Sequence, residues 1–595
     1  MRKKYKTGIA FSDFVTRERS MFSSGKNNSS VFQPSELLLM VPAFLLICLF
    51  LILFLRLFYV QVVQGAYYAG LSDQNRTRTI TIPAPRGIIF DRYNRPIVRN
   101  VPIFEIFENK KAKLIGKDQA LQLLSQGKDV KDTITREYLY GSNFANIIGY
   151  TGQISEEELN SPEYKEYVIT DFVGKMGLED EYEKVLHGEN GKELYEVNAA
   201  GEKSRFLGRQ EPISGKNITA TLDIDIQQAA SNAMKDVKKG AVVVSNPKDG
   251  GILALYTKPT YDSNIFTHSK EYKAEGDYKD VNSILSDTEN QPLLDRAIGG
   301  VYPPGSTFKL VTAVAALSSG AITADTKIED TGILRVGSFS FGNWYFLQHG
   351  RKDGFIDVVA AIKRSNDIFF YKAADETGVD TLSRWAMQFG LGNTLGIDLP
   401  GEVTGTVPTR EWKDRVISEQ WYLGDTFNYG IGQGYLLTTP LQVNFMTSVV
   451  ANGGDLFKPH IIQGTGKKLK ENLVKKEYLD LVLQGMKESC EVGGVAWPFF
   501  DFKVKNDALK IDNTNYVQDA SGSSKMVRVK VGCKTGTAET GGKETKPHAW
   551  ITVFAPFYNP EVVVTVLVEN GGEGSSIAGP VARDVLKVYF EKKKN

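Results

Sequence analysis

The sequence predicts a mixed α/β domain carried outside a membrane by one N-terminal helix and an extended β-rich pedestal. Three observations predict it. An unbroken apolar run, Leu37 to Leu55, lies near the start. Residues 59–215 then mix short β-prone runs with polar, glycine-bearing stretches. From residue 216 onward, helix-like segments and buried-type strands follow one another to the end of the chain.

At 595 residues the chain has room for two or three domains. It is 42% hydrophobic and 24% charged, and its formal net charge of +1 gives no electrostatic reason to expect nucleic acid as a partner. The first element is the apolar run, 19 residues that end at Arg56 and contain Pro42. That length spans a bilayer as a helix, which argues against a buried core helix. It exceeds the apolar core of a cleaved signal, and no small-residue cleavage site follows, so the run reads as an uncleaved anchor in the plasma (inner) membrane. Before it, Arg2, Lys3, Lys4, Lys6, Arg17, Arg19 and Lys26 outnumber Asp13, Glu18 and Glu36, which places the N-terminus in the cytoplasm and the rest of the chain outside. The expected order is a cytoplasmic tail (1–36), a transmembrane helix (37–58), a pedestal (59–215) and an α/β domain (216–595). Of three cysteines, Cys48 lies in the apolar run and only Cys490 and Cys533 remain that could pair, too few for a disulfide framework. The five histidines stand singly without metal-ligand spacing, so no metal is expected.

In the pedestal, Thr79–Ile82 reads as a strand, Pro83 and Pro85 break it, and Arg86–Arg92 resumes it, with Arg86 and Asp91 placed to form an ion pair. Glu156–Leu159 reads as a short acidic helix. In the α/β domain, Asp223 caps a helix from Ile226 to about Val237, and Gly240–Val244 is a buried-type strand. The turn at Pro247–Gly250 leads to a second strand, Gly251–Tyr256. Residues 262–290 are polar and read as a surface loop. Strands Trp550–Ala555 and Val562–Glu569 and a helix from Ala578 to about Glu591 close the domain.

Three short motifs carry chemistry. Gly305-Ser306-Thr307-Phe308-Lys309 follows two prolines and opens an apolar helix-forming run, so Ser306 and Lys309 share one face. An amine shielded from water beside a hydroxyl loses its proton and then takes the serine's. Alone, S-x-x-K is usually a cap followed by a surface lysine. Gly300 and Gly305 have phosphate-loop spacing, but the next residue is Ser306 rather than lysine, which excludes a nucleotide site. Ser365-Asn366-Asp367 follows the helix-like Val358–Lys363, and its hydroxyl and carboxyl can pass on a proton and hold a substrate amide; its plain alternative is another cap. Lys534-Thr535-Gly536-Thr537 comes straight after Val527–Val531, whose alternation is that of a half-buried strand. A strand edge with Lys534, Thr535 and Gly536 binds a peptide carboxylate and lays the peptide alongside, with Gly536 leaving room for its backbone. Beside them, Cys533 reads as a packing residue.

The ordered set S-x-x-K, S-x-D, K-T-G in one α/β domain is far more specific than its members. With it, the chain resembles the class B penicillin-binding proteins from the anchor to the C-terminus. Arg86–Arg92, Thr221-Leu222-Asp223, Tyr429–Gly434 and His548-Ala549-Trp550 support the resemblance. Asp367, His548–Trp550 and Gly571–Gly574 look like the elongation type, the penicillin-binding protein 2 subfamily. The interval between anchor and α/β domain is too short for the glycosyltransferase domain of class A members. The resemblance implies a transpeptidase fold related to the serine β-lactamases, with residues 59–215 as the dimerisation or pedestal domain. It implies acyl transfer on peptidoglycan stem peptides without a cofactor, in cell-wall elongation and cell shape. By the same resemblance Ser306 attacks, Lys309 is its base, and Ser365 and Lys534 relay the proton to the leaving D-Ala. The backbone amides of Ser306 and Thr537 form the oxyanion hole, and Asp367, Thr535, Gly536 and Thr537 bind substrate. β-Lactams acylate Ser306. Implied partners are lipid-linked glycan strands, a SEDS-family glycosyltransferase and rod-complex scaffold proteins.

Two other readings compete with this. A D,D-carboxypeptidase or β-lactamase-like hydrolase uses the same serine but gives the acyl group to water. A catalytically silent scaffold activates a membrane glycosyltransferase, and the intact Ser306, Lys309, Ser365 and Lys534 argue against it.

Overall fold

The computed structural model describes residues 36–108, 111–198, 202–268, 272–518, 526–541 and 545–593. The basic residues of the expected cytoplasmic tail lie outside the described residues. The chain forms two compact units, one made of Met1–Thr79 with Leu194–Gly208 and the other of Ile80–Glu193 with Arg209–Asn595.

In the first unit the apolar run is a helix, Glu36–Phe58, that continues through a wide turn at Tyr59–Val63. Met40–Val63 is long and apolar enough to cross a membrane, and its large apolar side chains from Phe44 to Phe54 are more than half exposed. Among the described residues nothing covers this surface, as suits a helix that faces lipid. A second helix, Gly65–Arg76, follows, and Arg76 pairs with Glu196 at 2.6 Å.

The second unit begins with the pedestal sheet. Its strands run in the order Ile218–Thr219, Ile89–Phe90, Pro96–Glu108, Lys111–Ile115, and Lys131–Tyr138 also pairs with the long third strand. The expected strand Arg86–Arg92 shrinks to Ile89–Phe90, because both charged ends are taken by other partners. Arg86 reaches Glu179 at 2.8 Å and Glu183 at 2.8 Å, while Asp91 pairs with Arg95 at 2.7 Å. Glu179 is fully buried and also binds Arg136 at 2.8 Å. One carboxylate thus holds two buried guanidinium groups from different segments.

The core of the α/β domain is a five-stranded antiparallel sheet in the order Ile252–Lys258, Gly240–Ser245, Val562–Val568, His548–Ala555, Gly532–Ala538. The first four strands are nearly continuous apolar runs because both faces are covered. Alternate residues serve two cores. Val243, Val563 and Phe554 face one that includes the helix Lys309–Ser319, and Val242, Val564 and Ile551 face another with the helix Gly574–Lys592. Asp223 caps its helix, observed at Ile224–Ala233, by accepting from Asp225 N–H.

Two expectations are corrected. Residues 262–290 are no mere surface loop: Asp262, Ser263 and Asn264 are buried, Asn264 exchanges hydrogen bonds with the backbone of Tyr138, and Val281–Ser286 is helical; residues 269–271 of this stretch lie outside the described residues. The alternating stretch before Lys534 belongs to another sheet, where Met526–Val529 pairs with Lys503–Lys505 and Tyr516–Gln518. The K-T-G residues sit in their own strand, Gly532–Ala538, at the edge of the main sheet.

Removing this buried carboxylate strips Arg136 of its ion pair and leaves Arg86 to Glu183 alone, at a cost of about 3–5 kcal/mol. Glu179→Ala should lower the unfolding free energy by that order in denaturant titrations of the detergent-solubilised chain. A loss below about 1 kcal/mol would show that the cluster contributes little.

Candidate active site

The serine turn is held from three sides. Gly305–Phe308 forms one turn of 3-10 helix that leads into Lys309–Ser319. Thr307 Oγ1 donates to Pro304 O at 2.8 Å, and the Trp550 indole N–H to Pro303 O at 3.0 Å. Gly305 N–H donates to Gly432 O at 2.8 Å. Gly432 has φ +75°, and a Cβ there would stand 2.1 Å from Gly305 O, so both its conformation and this approach require glycine. Ser306 is left half-buried on the wall of a cleft of about 480 Å³ that Ser365, Asp367, Thr535, Gly536 and Thr537 also line.

The second motif lies between two helices. Val358–Arg364 ends at Ser365, which takes the left-handed conformation with φ 53°, uncommon for a residue with a side chain. Asn366 then caps Asp367–Thr377 by accepting from Phe369 N–H at 2.9 Å. The capping alternative is therefore true of the middle residue, and it is the cap that turns its two neighbours inward.

Two lysines converge on Ser365. Lys309, fully buried, reaches Ser365 O at 2.8 Å and Ser365 Oγ at 3.4 Å, and Asp367 Oδ1 at 2.7 Å. Lys534, also fully buried, stands 2.8 Å from Ser365 Oγ and 3.0 Å from Thr535 O. Burial pulls the Lys309 amine below the ordinary lysine value against the opposing pull of Asp367. Burial again, and then the charge of Lys309, hold Lys534 well below it. Lys309 has a carboxylate beside it and Lys534 has only neutral oxygens, so Lys534 is pushed further toward its neutral form.

Both Asp367 oxygens face protein groups: Oδ1 takes Lys309 and Oδ2 takes Trp344 N–H at 2.9 Å. The sequence reading that aims this carboxyl at a substrate amide misses the ion pair. The crowding at Gly536 is likewise internal, since a Cβ there would stand 3.0 Å from Trp550 Cβ and 3.1 Å from Pro304 O. The edge position of the Lys534 strand leaves alternate backbone groups free of strand partners. Thr537 is exposed, and its hydroxyl accepts from Gly574 N–H at 3.4 Å.

Cys533 does not merely pack: it forms a disulfide with Cys490, at the end of the helix Lys476–Ser489. Sequence reasoning also misses Asn343, Trp344 and Asp330, whose bonds to the second motif span 23 to 36 residues and carry no local signal. Among the described residues no group of three or more His, Cys, Asp or Glu side chains is placed to hold a metal ion.

The arrangement has known counterparts. Residues 240–587 match the penicillin binding protein transpeptidase domain family, and residues 119–220 the penicillin-binding protein dimerisation domain family. The chain is 32% identical to the peptidoglycan D,D-transpeptidase MrdA of Haemophilus influenzae, over 91% of this chain and 90% of that protein. It superposes with a TM-score of 0.71 on the penicillin-binding protein PBP2 of Helicobacter pylori solved in complex with MreC, at 28% identity, covering 86% of this chain and 99% of that one. It also matches a chain from a structure of a peptidoglycan synthase complex that coordinates polymerization and crosslinking, with a TM-score of 0.69, 28% identity and coverage of 93% and 98%. A transpeptidase domain over more than half the chain, the same fold over 86% of it and a relative of this likeness along nearly its whole length make the chain a class B penicillin-binding protein, of the elongation type known as penicillin-binding protein 2.

Proposed function

We propose that Ser306, Lys309, Ser365 and Lys534 carry out the D,D-transpeptidase reaction of this chain on peptidoglycan stem peptides. The observation that carries the reading is the pair of buried lysines meeting at one hydroxyl, Ser365, in the cleft that Ser306 lines. A substrate carboxylate arriving at Lys534 and Thr535 stabilises an ammonium there. A proton then crosses Ser365 Oγ from Lys309 to Lys534 and leaves Lys309 neutral beside Ser306. Ser306 Oγ attacks the carbonyl of the penultimate D-Ala and gives its proton to Lys309. The oxyanion forms at the Ser306 and Thr537 amides. Collapse breaks the peptide bond, the departing D-Ala nitrogen takes a proton relayed through Ser365 and Lys534, and an ester on Ser306 remains. The amine of a neighbouring stem takes the acyl group and completes the cross-link. β-Lactams acylate the same serine. In this reading Asp367 and Gly536 serve substrate binding indirectly, Asp367 by fixing the Lys309 amine and Gly536 by letting the edge strand pack beside the serine turn.

The same proposal divides the chain into tail (1–36), transmembrane helix (37–58), pedestal (59–215) and transpeptidase domain (216–595). It puts the N-terminus in the cytoplasm and the catalytic domain outside the plasma membrane. The relatives assembled with MreC and in a peptidoglycan synthase complex support a scaffold protein and a synthase as partners here; in this reading they are a rod-complex scaffold and a SEDS-family glycosyltransferase, with lipid-linked glycan strands as the shared substrate.

Fluorescent penicillin should label the intact chain and not Ser306→Ala, read by gel and intact mass. With a stem-peptide donor and an added amine, the product should be the aminolysed donor; hydrolysed donor alone would move the chain to the carboxypeptidases. Lys309→Met should slow acylation by roughly 10²–10⁴-fold, the range of general-base catalysis. Because burial favours the neutral amine, the acylation rate should rise with pH and reach its plateau below the ordinary lysine value. A rate still climbing at pH 10–11 would remove Lys309 from the role of base.

A further inference from the structure

Asp330 lies outside the three motifs and is 2% exposed. Neutral donors meet both of its oxygens. Oδ1 accepts from Gly332 N–H at 2.8 Å. Oδ2 accepts from the Asn343 amide at 2.8 Å, the Asn366 amide at 3.0 Å and Asp353 N–H at 2.9 Å. A carboxylate is an acceptor at every lone pair, which suits a point where four N–H groups converge.

The far ends of those donors lie on the catalytic segment. Asn343 Oδ1 accepts from Asp367 N–H at 3.2 Å, and the next residue, Trp344, gives its N–H to Asp367 Oδ2 at 2.9 Å. Asn343 N–H is itself held by Gly332 O at 2.8 Å, so Asp330 fixes Asn343 directly and through Gly332. Asn366 Oδ1 caps the helix that begins at Asp367. Asp353 assists, with Oδ2 on the Asn366 amide at 3.0 Å and Oδ1 on Arg364 Nε at 3.1 Å. If Asp330 served only its own turn, the bond to Gly332 would suffice. The other bonds lead to Ser365 and Asp367.

We infer that Asp330 is a positioning residue for acyl transfer, which acts through Asn343 and Asn366 to keep the Asp367 carboxylate on the Lys309 amine. The inference rests on the role of Lys309 proposed above. Asp330→Asn replaces one acceptor oxygen by an NH₂ that confronts N–H donors. Asp367 then loses its backbone support and leaves Lys309. The other groups facing Lys309 are the Ser365 carbonyl and hydroxyl, the Phe370 ring at 5.6 Å and the Lys534 amine, and none of them supplies negative charge. Without the carboxylate that favours its ammonium form, Lys309 gives up its proton at lower pH.

The test is the acylation rate of the detergent-solubilised full chain with fluorescent penicillin as a function of pH, with thermal unfolding to follow folding. In Asp330→Asn the plateau rate should fall by about 10- to 100-fold, and the acidic limb should move down by at least about one pH unit. Asn343→Ala, which leaves the carboxylate in place but cuts its connection, should move the limb in the same direction and decides the matter if Asp330→Asn does not fold. An unmoved limb with only a smaller labelled fraction would make Asp330 a purely structural residue and overturn the inference while the acylation reading stands. A wild-type chain that takes no label would remove that reading and the inference with it.

Discussion

The rest of the site depends on the burial of two lysines against one hydroxyl. Water would solvate both ammonium groups, and the fold excludes it: Lys309 and Lys534 are among the largest fully buried side chains of the chain. Burying an ammonium is costly unless it is paired or neutral. The structure meets that cost in two ways, giving Lys309 a carboxylate at 2.7 Å and leaving Lys534 among neutral oxygens. The two environments therefore act unequally on chemically identical groups, since only Lys309 has a carboxylate to favour its ammonium form.

That asymmetry needs three elements in fixed register. The serine turn is pinned by backbone contacts that only glycines at 305 and 432 permit. The Lys534 strand pairs with His548–Ala555 from Gly532↔Phe554 to Ala538↔His548, so the lysine cannot slide along the sheet. The Ser365 segment has no strand to align it. Side-chain amides hold it instead, and its left-handed serine shows how closely the two helices meet.

The motif residues are legible in the sequence because each sits in a short pattern that a small change would destroy. The anchor helix, the two central valine-rich strands and the cap at Asp223 are legible for the same local reasons. What is not legible depends on distance. The Met526–Val529 alternation announces a strand but not which sheet it joins, and adjacency to Lys534 is misleading. Asp262 and Asn264 look like loop residues by composition, yet Asn264 satisfies backbone groups of Tyr138, 126 positions earlier. Asp330 lies 36 residues before the asparagine it holds. Arg86 and Asp91 are rightly expected to form ion pairs but find other partners than each other.

The bond between Cys490 and Cys533 stands one residue from Lys534 and closes a loop of 43 residues. On loop-closure grounds such a tie restricts the unfolded chain by roughly 4 kcal/mol. It forms only where thiols are oxidised, which the cytosol prevents. A reducing environment would therefore leave the edge strand unfastened from the neighbouring helix, with every side chain beside Lys534 in place and the staple missing.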